Sequence, residues 1–221
     1  MIQLPPEFDD IRPYYDSEIP AAMERMASDP ILTPALRFLD EDIDVNAFRA
    51  KLRKIRTIAQ FQHEMMVPLC SALVAKTMTR FTSSGAEHID ASYGTLYVSN
   101  HRDIVMDAYL HQIVLDQYNK PTCHITFGSN LMEPQFVVDF GMSNKMFRTD
   151  RKTSNIRSFL HSSMHLSDYI NYVVSHGDSL WIAQRNGRTK DGLDRTEPSL
   201  LKMLALSGHA TKSDPLNPLK A

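Results

Sequence analysis

The sequence predicts an α/β fold: a mainly parallel sheet flanked by helices and preceded by a helical N-terminal region. Two observations support this prediction. From Gly94 onward, short apolar segments typical of strands alternate with longer helical patterns, as they do in chains that form parallel sheets. In the first third, apolar residues instead recur at the spacing of a helix face.

The N-terminal region is expected to contain two short helices, over residues 17–27 and 34–39, and a long helix from 45 to about 81. Asp44 can cap the long helix, because its carboxylate can accept hydrogen bonds from the first free amides. Pro68 should bend or break this helix, since proline has no amide hydrogen to donate.

The long predicted helix carries an apolar pattern and a basic one. The apolar residues at the spacing of one buried face are Phe48, Leu52, Ile55 and Ala59. The basic residues are Arg49, Lys51, Arg53, Lys54 and Arg56. Such a run is typical either of a solvated helix face or of a surface that contacts anionic lipid headgroups.

The elements of the α/β region follow from the alternating pattern. Strands are predicted at residues 95–99, 122–127, 146–149 and 179–183. Helices are predicted near 104–118, 133–140 and 154–175. The sequence contains no internal repeat that would indicate a different architecture.

We divide the chain into a helical region, 1–82, and an α/β domain, 83–221. The connection is placed at 82–93, where Ser83, Ser84 and Gly85 interrupt the helical pattern. The closing stretch carries Gly208 and Pro218 and is predicted to be an unstructured tail after the last helix. We therefore expect the α/β domain to be incomplete at its C-terminal end.

Composition excludes several classes of protein. Hydrophobic residues make up 43% and charged residues 23% of the chain, which is typical of a globular domain. The net charge is -2, so no overall positive field would attract nucleic acid, which is not expected as a partner. Nothing in the sequence indicates an oligomeric state.

The expected location is cytoplasmic, with attachment to the inner face of a membrane as an extension of that prediction. The acidic start carries no signal peptide, and Cys70 and Cys123 have no metal-site or disulfide spacing. The longest apolar stretch, 65–75, is about half of the roughly 20 residues that cross a bilayer. Any contact with a membrane is therefore expected at its surface.

The most informative segment runs from Ser99 to Asp107, where a predicted strand turns into a predicted helix. Polar groups after a strand of a parallel sheet lie at the edge where such sheets bind ligands. There His101 could accept a hydroxyl proton, and a carboxylate on its other ring nitrogen would fix the tautomer. The alternative is a helix cap by Asn100, with a His101 that bonds only to backbone.

Two basic loops follow later strands. Residues 145–152 contain four cations, and residues 181–192 carry three more together with Gly187 and Gly192. Parallel strands would open both loops on the same edge as His101. Arginine and lysine donate charge-assisted hydrogen bonds to phosphate oxygens, and glycine permits a close backbone approach. The combination indicates a phosphorylated alcohol as ligand; an ordinary charged loop is the alternative for each alone.

Three blocks carry a resemblance to a known family. NHRDIVMD, KMFRTDR and IAQRNGRTKDG resemble, in this order, the His/Asp block, the second block and the Gly-rich third block of the glycerol-3-phosphate and 1-acylglycerol-3-phosphate acyltransferase superfamily. The resemblance covers about residues 85–210. It implies transfer of a fatty acyl group from acyl-CoA or acyl carrier protein, as co-substrate, to a hydroxyl of a glycerol phosphate. It implies no other cofactor and no metal.

The resemblance also assigns roles to individual residues. It implies His101 as general base and Asp107 as its orienting carboxylate. The implied phosphate-binding cations are Arg151, Arg188 and Lys190. The implied supporting residues are Asn100, Phe147, Arg148 and Gly187. An activated alcohol would attack the thioester directly, so no acyl-enzyme is required.

The sequence departs from the family pattern at several positions. Five residues separate His101 from Asp107 where four are usual, so a helical bulge or a longer turn must bring the carboxylate round, and Asp103 is the alternative partner. A gapless match puts Arg185 where the third block usually has glutamate. A lysine usual after the second strand is missing at 128–130, and the fourth block is absent from the chain.

These departures keep two other functions open. One is a catalytically degenerate lipid-binding protein of the same fold. The other is a metal-dependent hydrolase that uses His101, Asp103 and Asp107, although that spacing fits no common metal site. His161 and His165 lie four residues apart on a predicted helix but lack a third ligand, so an ordinary helix surface is favoured for them.

Overall fold

The computed structural model describes residues 1–150 and 155–207. The N-terminal region is helical, as predicted. Its α-helices are α1 (Ile19–Ser28), α2 (Leu32–Leu39), α3 (Val45–Leu52), α4 (Ile58–Phe61) and α5 (Val67–Thr77). A π-helical turn, Gln62–Met66, joins α4 to α5, and short 3₁₀ turns lie at Pro6–Phe8, Asp16–Glu18 and Ala86–His88.

The prediction of one continuous long helix is wrong. It ends at Leu52 and restarts at Ile58, because Thr57 caps α4 and Asp16, distant in sequence, accepts the Ile58 amide hydrogen at 2.9 Å. Pro68 does not break the chain direction into a new helix. It lies in the first turn of α5, where a backbone amide has no partner within the helix, so its missing hydrogen costs no bond. Ala59, predicted on the buried face, is exposed.

Within the described residues, four parallel strands form the sheet, in the order β1-β4-β2-β3. They are β1 (Leu96–Ser99), β2 (His124–Gly128), β3 (Met146–Thr149) and β4 (Leu180–Ala183). The helices of this part are α6 (Met106–Gln117), α7 (Gln135–Ser143), α8 (Ile156–Ser175) and α9 (Pro198–Leu204). The fold class is confirmed, and α9 is an element that the sequence prediction did not include.

Alternating side chains give the sheet two covered faces. On one face, Trp181 and Ala183 of β4 pack with Ile125 and with Ala108 and Leu115 of α6. On the other face lie buried residues of β3, β4 and α8, the largest being Phe147, Leu180, Ile182, Tyr169 and Ile170. Because β4 is central and covered on both faces, all four of its residues are buried.

The first residues of the chain complete the second face. Leu4, Phe8 and Ile11 are buried against Phe147 and Tyr169 in the same cluster. The Arg148 amide donates to the Ile11 carbonyl at 2.8 Å, so this segment also pairs with β3 at the edge of the sheet. The N-terminal segment is therefore part of the α/β layers and not an appendage.

A buried carboxylate, Asp139 on α7, joins the helical region to the sheet layers. Arg25 of α1 donates to both of its oxygens, at 2.8 and 2.7 Å, and Tyr14 donates a third bond at 2.8 Å. Burial and the bond to Asp139 raise the pKa of Tyr14 to about 12. This network fixes α1 against the helix that walls the site described next.

Candidate active site

The loop after β1 is held by its own side chains. Asp103 Oδ1 accepts the amide hydrogens of Val105 and Met106 at 2.8 Å each, which satisfies donors at the start of α6. These bonds, opposed by partial burial and aided by the charges of Arg188 and His101, lower the pKa of Asp103. Asp103 thus fixes the turn that leads into α6.

His101 is buried and its ring contacts Asp107 of the first turn of α6. The Nδ1 to Oδ2 distance is 3.0 Å, and the same Oδ2 accepts the amide hydrogens of Arg102 and Asp103 at 2.7 and 3.0 Å. The longer turn over residues 100–105, rather than a helical bulge, accommodates the extra residue. A proton on Nδ1, donated to the carboxylate, leaves Nε2 as the acceptor.

A third carboxylate, Asp194, was missed by sequence reasoning. Its Oδ2 accepts the backbone amide hydrogen of His101 at 2.6 Å, and the Thr189 amide donates to the His101 carbonyl at 2.8 Å. Gln184 also donates to Asn100 at 2.8 Å. The loop after β4 therefore holds the backbone of His101 at both its amide and its carbonyl. No motif in the sequence indicated these contacts.

A cavity of about 840 Å³ opens beside His101. Three residues of the loop after β4 that were predicted from the sequence line it: Gly187, Arg188 and Lys190. Gly187 has φ of 81°, a left-handed conformation that favours glycine. The apolar part of the wall comes from Phe127, Val137, Phe140, Trp181 and neighbouring residues. The structure thus brings the His/Asp pair and two cations into one site.

Other predicted site residues lie elsewhere. Phe147 is fully buried on the opposite face of the sheet, with its ring 4.9 Å from that of Tyr169. Arg148 pairs with Asp150 at 3.1 Å and lines a separate hollow. Asn100 accepts the bond from Gln184 and so supports the loop. Arg151 lies outside the described residues.

Comparison with known proteins identifies the family. The sequence model of the acyltransferase family matches residues 80–215, which is more than half of the chain and includes all three blocks. The chain belongs to the acyltransferase family, the phospholipid/glycerol acyltransferases. A search of curated proteins found no significant match. Family membership indicates acyl transfer in lipid synthesis as the general function of the chain.

The acyltransferase site clarifies the departure in the third block. Arg185 does not line the His101 cavity; it lines a hollow beside α8 and donates to the Leu193 carbonyl at 3.3 Å. Asn186, the residue before Gly187, lines the cavity. Pairing Gly187 with the glycine of the usual Glu-Gly sequence puts Asn186 at the glutamate position, where the gapless match puts Arg185. In that pairing an uncharged amide stands where the family usually has a carboxylate.

An apolar hollow of about 340 Å³ adjoins the acyltransferase cavity. Four residues line both spaces: Val105, Tyr109, Val137 and Phe140. The rest of its wall comes mainly from α1 to α5, including Leu36, Phe48, Phe61 and Leu73. Cys70 also lines it, and burial raises the pKa of that thiol to about 11, so the group stays protonated.

Within 1–150 and 155–207, no three His, Cys, Asp or Glu side chains come together as a metal site. None of the helices in the same residues is long and apolar enough to cross a bilayer.

Proposed function

We propose that the protein transfers a fatty acyl group from acyl-CoA or acyl carrier protein to a hydroxyl of glycerol 3-phosphate or 1-acylglycerol 3-phosphate. The observation that supports this most directly is the buried His101–Asp107 pair, 3.0 Å apart, in a cavity that Arg188 and Lys190 also line. The site needs no further cofactor, because the thioester itself is the activated donor.

His101 acts as the general base in this proposal. Its Nε2 takes the proton of the acceptor hydroxyl while Asp107 stabilises the imidazolium through Nδ1. The hydroxyl oxygen forms the new ester bond at the thioester carbonyl. Collapse of the tetrahedral intermediate breaks the carbon–sulfur bond, and the thiolate leaves with the proton that His101 held.

The acceptor phosphate is assigned to the cations of the loop after β4. Arg188 and Lys190 are exposed at the cavity and form no salt bridge with the described residues, so their charges are available to phosphate oxygens. Asp103 is near enough to Arg188 for their charges to interact. Arg151 is kept as a third phosphate ligand on the family resemblance alone.

The acyl chain is assigned to the apolar hollow. It adjoins the cavity through Val105, Tyr109, Val137 and Phe140, so a chain can lie there while its carbonyl stays near His101. Burial of methylene groups in such a lining is favourable by about 0.8 kcal/mol each. The 1-acylglycerol 3-phosphate acceptor resides in a bilayer, so we propose that the protein acts at the cytoplasmic surface of the membrane.

The test is turnover. Purified protein with palmitoyl-CoA and glycerol 3-phosphate or its 1-acyl form should release free thiol and form the corresponding ester. His101→Ala should abolish both, with the circular dichroism spectrum unchanged. His161→Ala, a change on an exposed part of α8, is the matched control and should retain activity. Retained turnover in His101→Ala would contradict the proposal.

A catalytically degenerate lipid-binding protein is the second candidate, and Asn186 at the glutamate position favours it. This candidate predicts that the wild-type protein binds acyl-CoA but releases no thiol with either acceptor. Asn186→Glu separates the two further. It should create turnover in a degenerate site and change the rate of an active one only modestly.

A further inference from the structure

The four parallel strands all end at one edge of the molecule, and large apolar side chains are exposed there. We define the edge patch as Ile104, Leu131, Ile156, Phe159, Leu160 and Leu193. Their exposed fractions run from 40% for Leu131 to 79% for Ile156. Isolated exposed apolar residues are ordinary, but a group of six at one edge indicates a contact surface.

The edge patch is continuous with the proposed active site. Ile104 and Leu131 line the His101 cavity itself. Phe159, in the first turn of α8, lines a hollow together with Asn186, and Asn186 also lines the cavity. Ile156 and Leu160 are four residues apart on α8 and so present one helix face. Whatever covers the patch therefore lies at the cavity mouth.

The charges around the edge patch are mainly positive. Five exposed cations lie on the same loops and on the first turn of α8: Arg102, Arg157, Arg188, Lys190 and Arg195. None of the five forms a salt bridge with the described residues. Of the nearby exposed carboxylates, Asp150 pairs with Arg148. Glu133 and Asp191 are exposed and remain as opposing charges, although Asp191 also accepts bonds from Thr189 and Leu193.

We infer that the edge patch is the face that docks on an anionic lipid bilayer, with the cavity mouth toward the headgroups. Exposed apolar side chains among unpaired cations are the combination that binds the interface of acidic membranes. This inference rests on the proposed function, because a lipid acceptor could then enter the cavity directly from the bilayer.

The basic run at 49–56, where the sequence suggested lipid contact, is a weaker candidate. Arg53 pairs with Glu24 at 3.0 Å, Lys51 donates to the Glu64 carbonyl, and Arg56 donates to the carbonyls of Arg53 and Ile55. Leu52 and Ile55 of this stretch are buried. It offers partly engaged cations and no exposed large apolar residue of its own.

The experiment is sedimentation of the full chain with vesicles of phosphatidylcholine, with or without phosphatidylglycerol. The wild type should sediment with the anionic vesicles and much less with the neutral ones. The triple variant Ile156→Ser, Phe159→Ser, Leu160→Ser should bind anionic vesicles at least about tenfold more weakly. Arg157→Gln with Arg195→Gln should reduce the dependence on phosphatidylglycerol.

Matched controls use exposed residues of the N-terminal helical region, which are distant in sequence from the edge patch. Ile31→Ser with Phe38→Ser removes two exposed apolar side chains on α2 or next to it and should leave binding unchanged. Lys51→Gln with Lys54→Gln tests the basic run. If these lysine changes abolish binding while the triple variant binds normally, the docking face lies on α3 and the inference is wrong. Failure of the wild type to bind anionic vesicles also overturns it.

Activity separates this inference from the proposed function. On a soluble acceptor, glycerol 3-phosphate, the triple variant should match the wild type; on 1-acylglycerol 3-phosphate in vesicles it should lose most of its rate. Vesicle binding through the patch without any turnover would retain the docking face and reject the acyltransferase reaction. Equal losses on both acceptors would show that the triple variant damages the site, and would contradict a docking role.

Discussion

The His101 cavity and the apolar hollow share a wall of four residues but differ in their linings. Charged groups and backbone of the loop after β4 line the cavity, whereas none of the described residues that line the hollow is charged. The cavity is formed by the ends of strands, and the hollow mainly by α1 to α5. Binding of a polar acceptor and of an apolar chain can therefore be changed separately.

This division has a physical reason. Loops after parallel strands can bring cations and a His/Asp pair together because their backbones are fixed by the sheet. A fatty chain needs an apolar space, which the apolar faces of amphipathic helices supply. No charged side chain then has to lose its hydration when the chain binds. Substitutions in the cavity should alter reaction of the polar acceptor and leave the acyl-chain preference unchanged, and substitutions in the hollow should do the reverse. The following four predictions test that separation.

The largest effect is expected from Asp107→Asn in the cavity. The amide keeps the shape but can hold the wrong tautomer of His101, so kcat should fall by about 10²- to 10⁴-fold. The preferred acyl-chain length should stay the same, because the hollow is untouched. Thiol release across a series of acyl-CoA lengths measures both. A changed length preference would show that the two linings are not independent.

Asp194 should come next, as a positioning residue that acts through the His101 backbone. Asp194→Ala leaves that amide without its partner at 2.6 Å and should lower kcat by about 10- to 100-fold, with little change in KM. Asp194→Asn can still accept the bond and should recover most of the rate. If both variants lose only thermal stability and keep kcat, Asp194 is merely structural.

Arg188→Gln should weaken binding of the acceptor phosphate. Loss of one charge-assisted hydrogen bond corresponds to roughly a tenfold rise in KM for glycerol 3-phosphate. The ranking of the KM values for acyl-CoA of different chain lengths should stay the same. Arg37→Gln, an exposed change on α2, is the matched control. An equal rise in KM for both substrates would argue against a specific phosphate contact.

The smallest effect is expected in the hollow. Ala35 lines it from an exposed position, so Ala35→Phe can fill the space without disturbing the buried core. Each methylene excluded should cost about 0.8 kcal/mol, which is about fourfold in relative preference for the longer chain. Rates with short acyl-CoA should be unchanged. A uniform loss at all lengths would contradict placement of the chain in the hollow.

The sheet could be predicted closely from sequence, whereas the helix break at 53–57 could not. Strand β3 has the predicted bounds, and its burial alternates as local strand geometry requires, with Phe147 and Thr149 buried and Arg148 exposed. The restart at Ile58 depends on Asp16, which lies 42 residues away. A hydrogen bond between residues so far apart in sequence cannot be predicted from local periodicity. The same is true of the bond from His101 to Asp194, which lies 93 residues away.

Within the site, motif order predicted which loops meet but not which side chains turn inward. His101, Asp107, Arg188 and Lys190 come together because their strands are parallel neighbours. Phe147 and Arg148 follow the same motif but alternate across β3, which lies at the far edge from β1. Alternation along β3 decides the positions of Phe147 and Arg148, and motif matching does not record it. In the loop after β4, Asn186 lines the cavity and its neighbour Arg185 does not.

The pairing of the N-terminal segment with β3 has a practical consequence. A shortened chain that began at residue 17 would lose Leu4, Phe8 and Ile11 from the cluster around Phe147 and Tyr169 and would remove the partner of the Arg148 amide. Soluble expression should suffer more from trimming these few residues than from changes anywhere on the outer surface. Deletion mapping of the polypeptide should therefore leave its first sixteen residues in place.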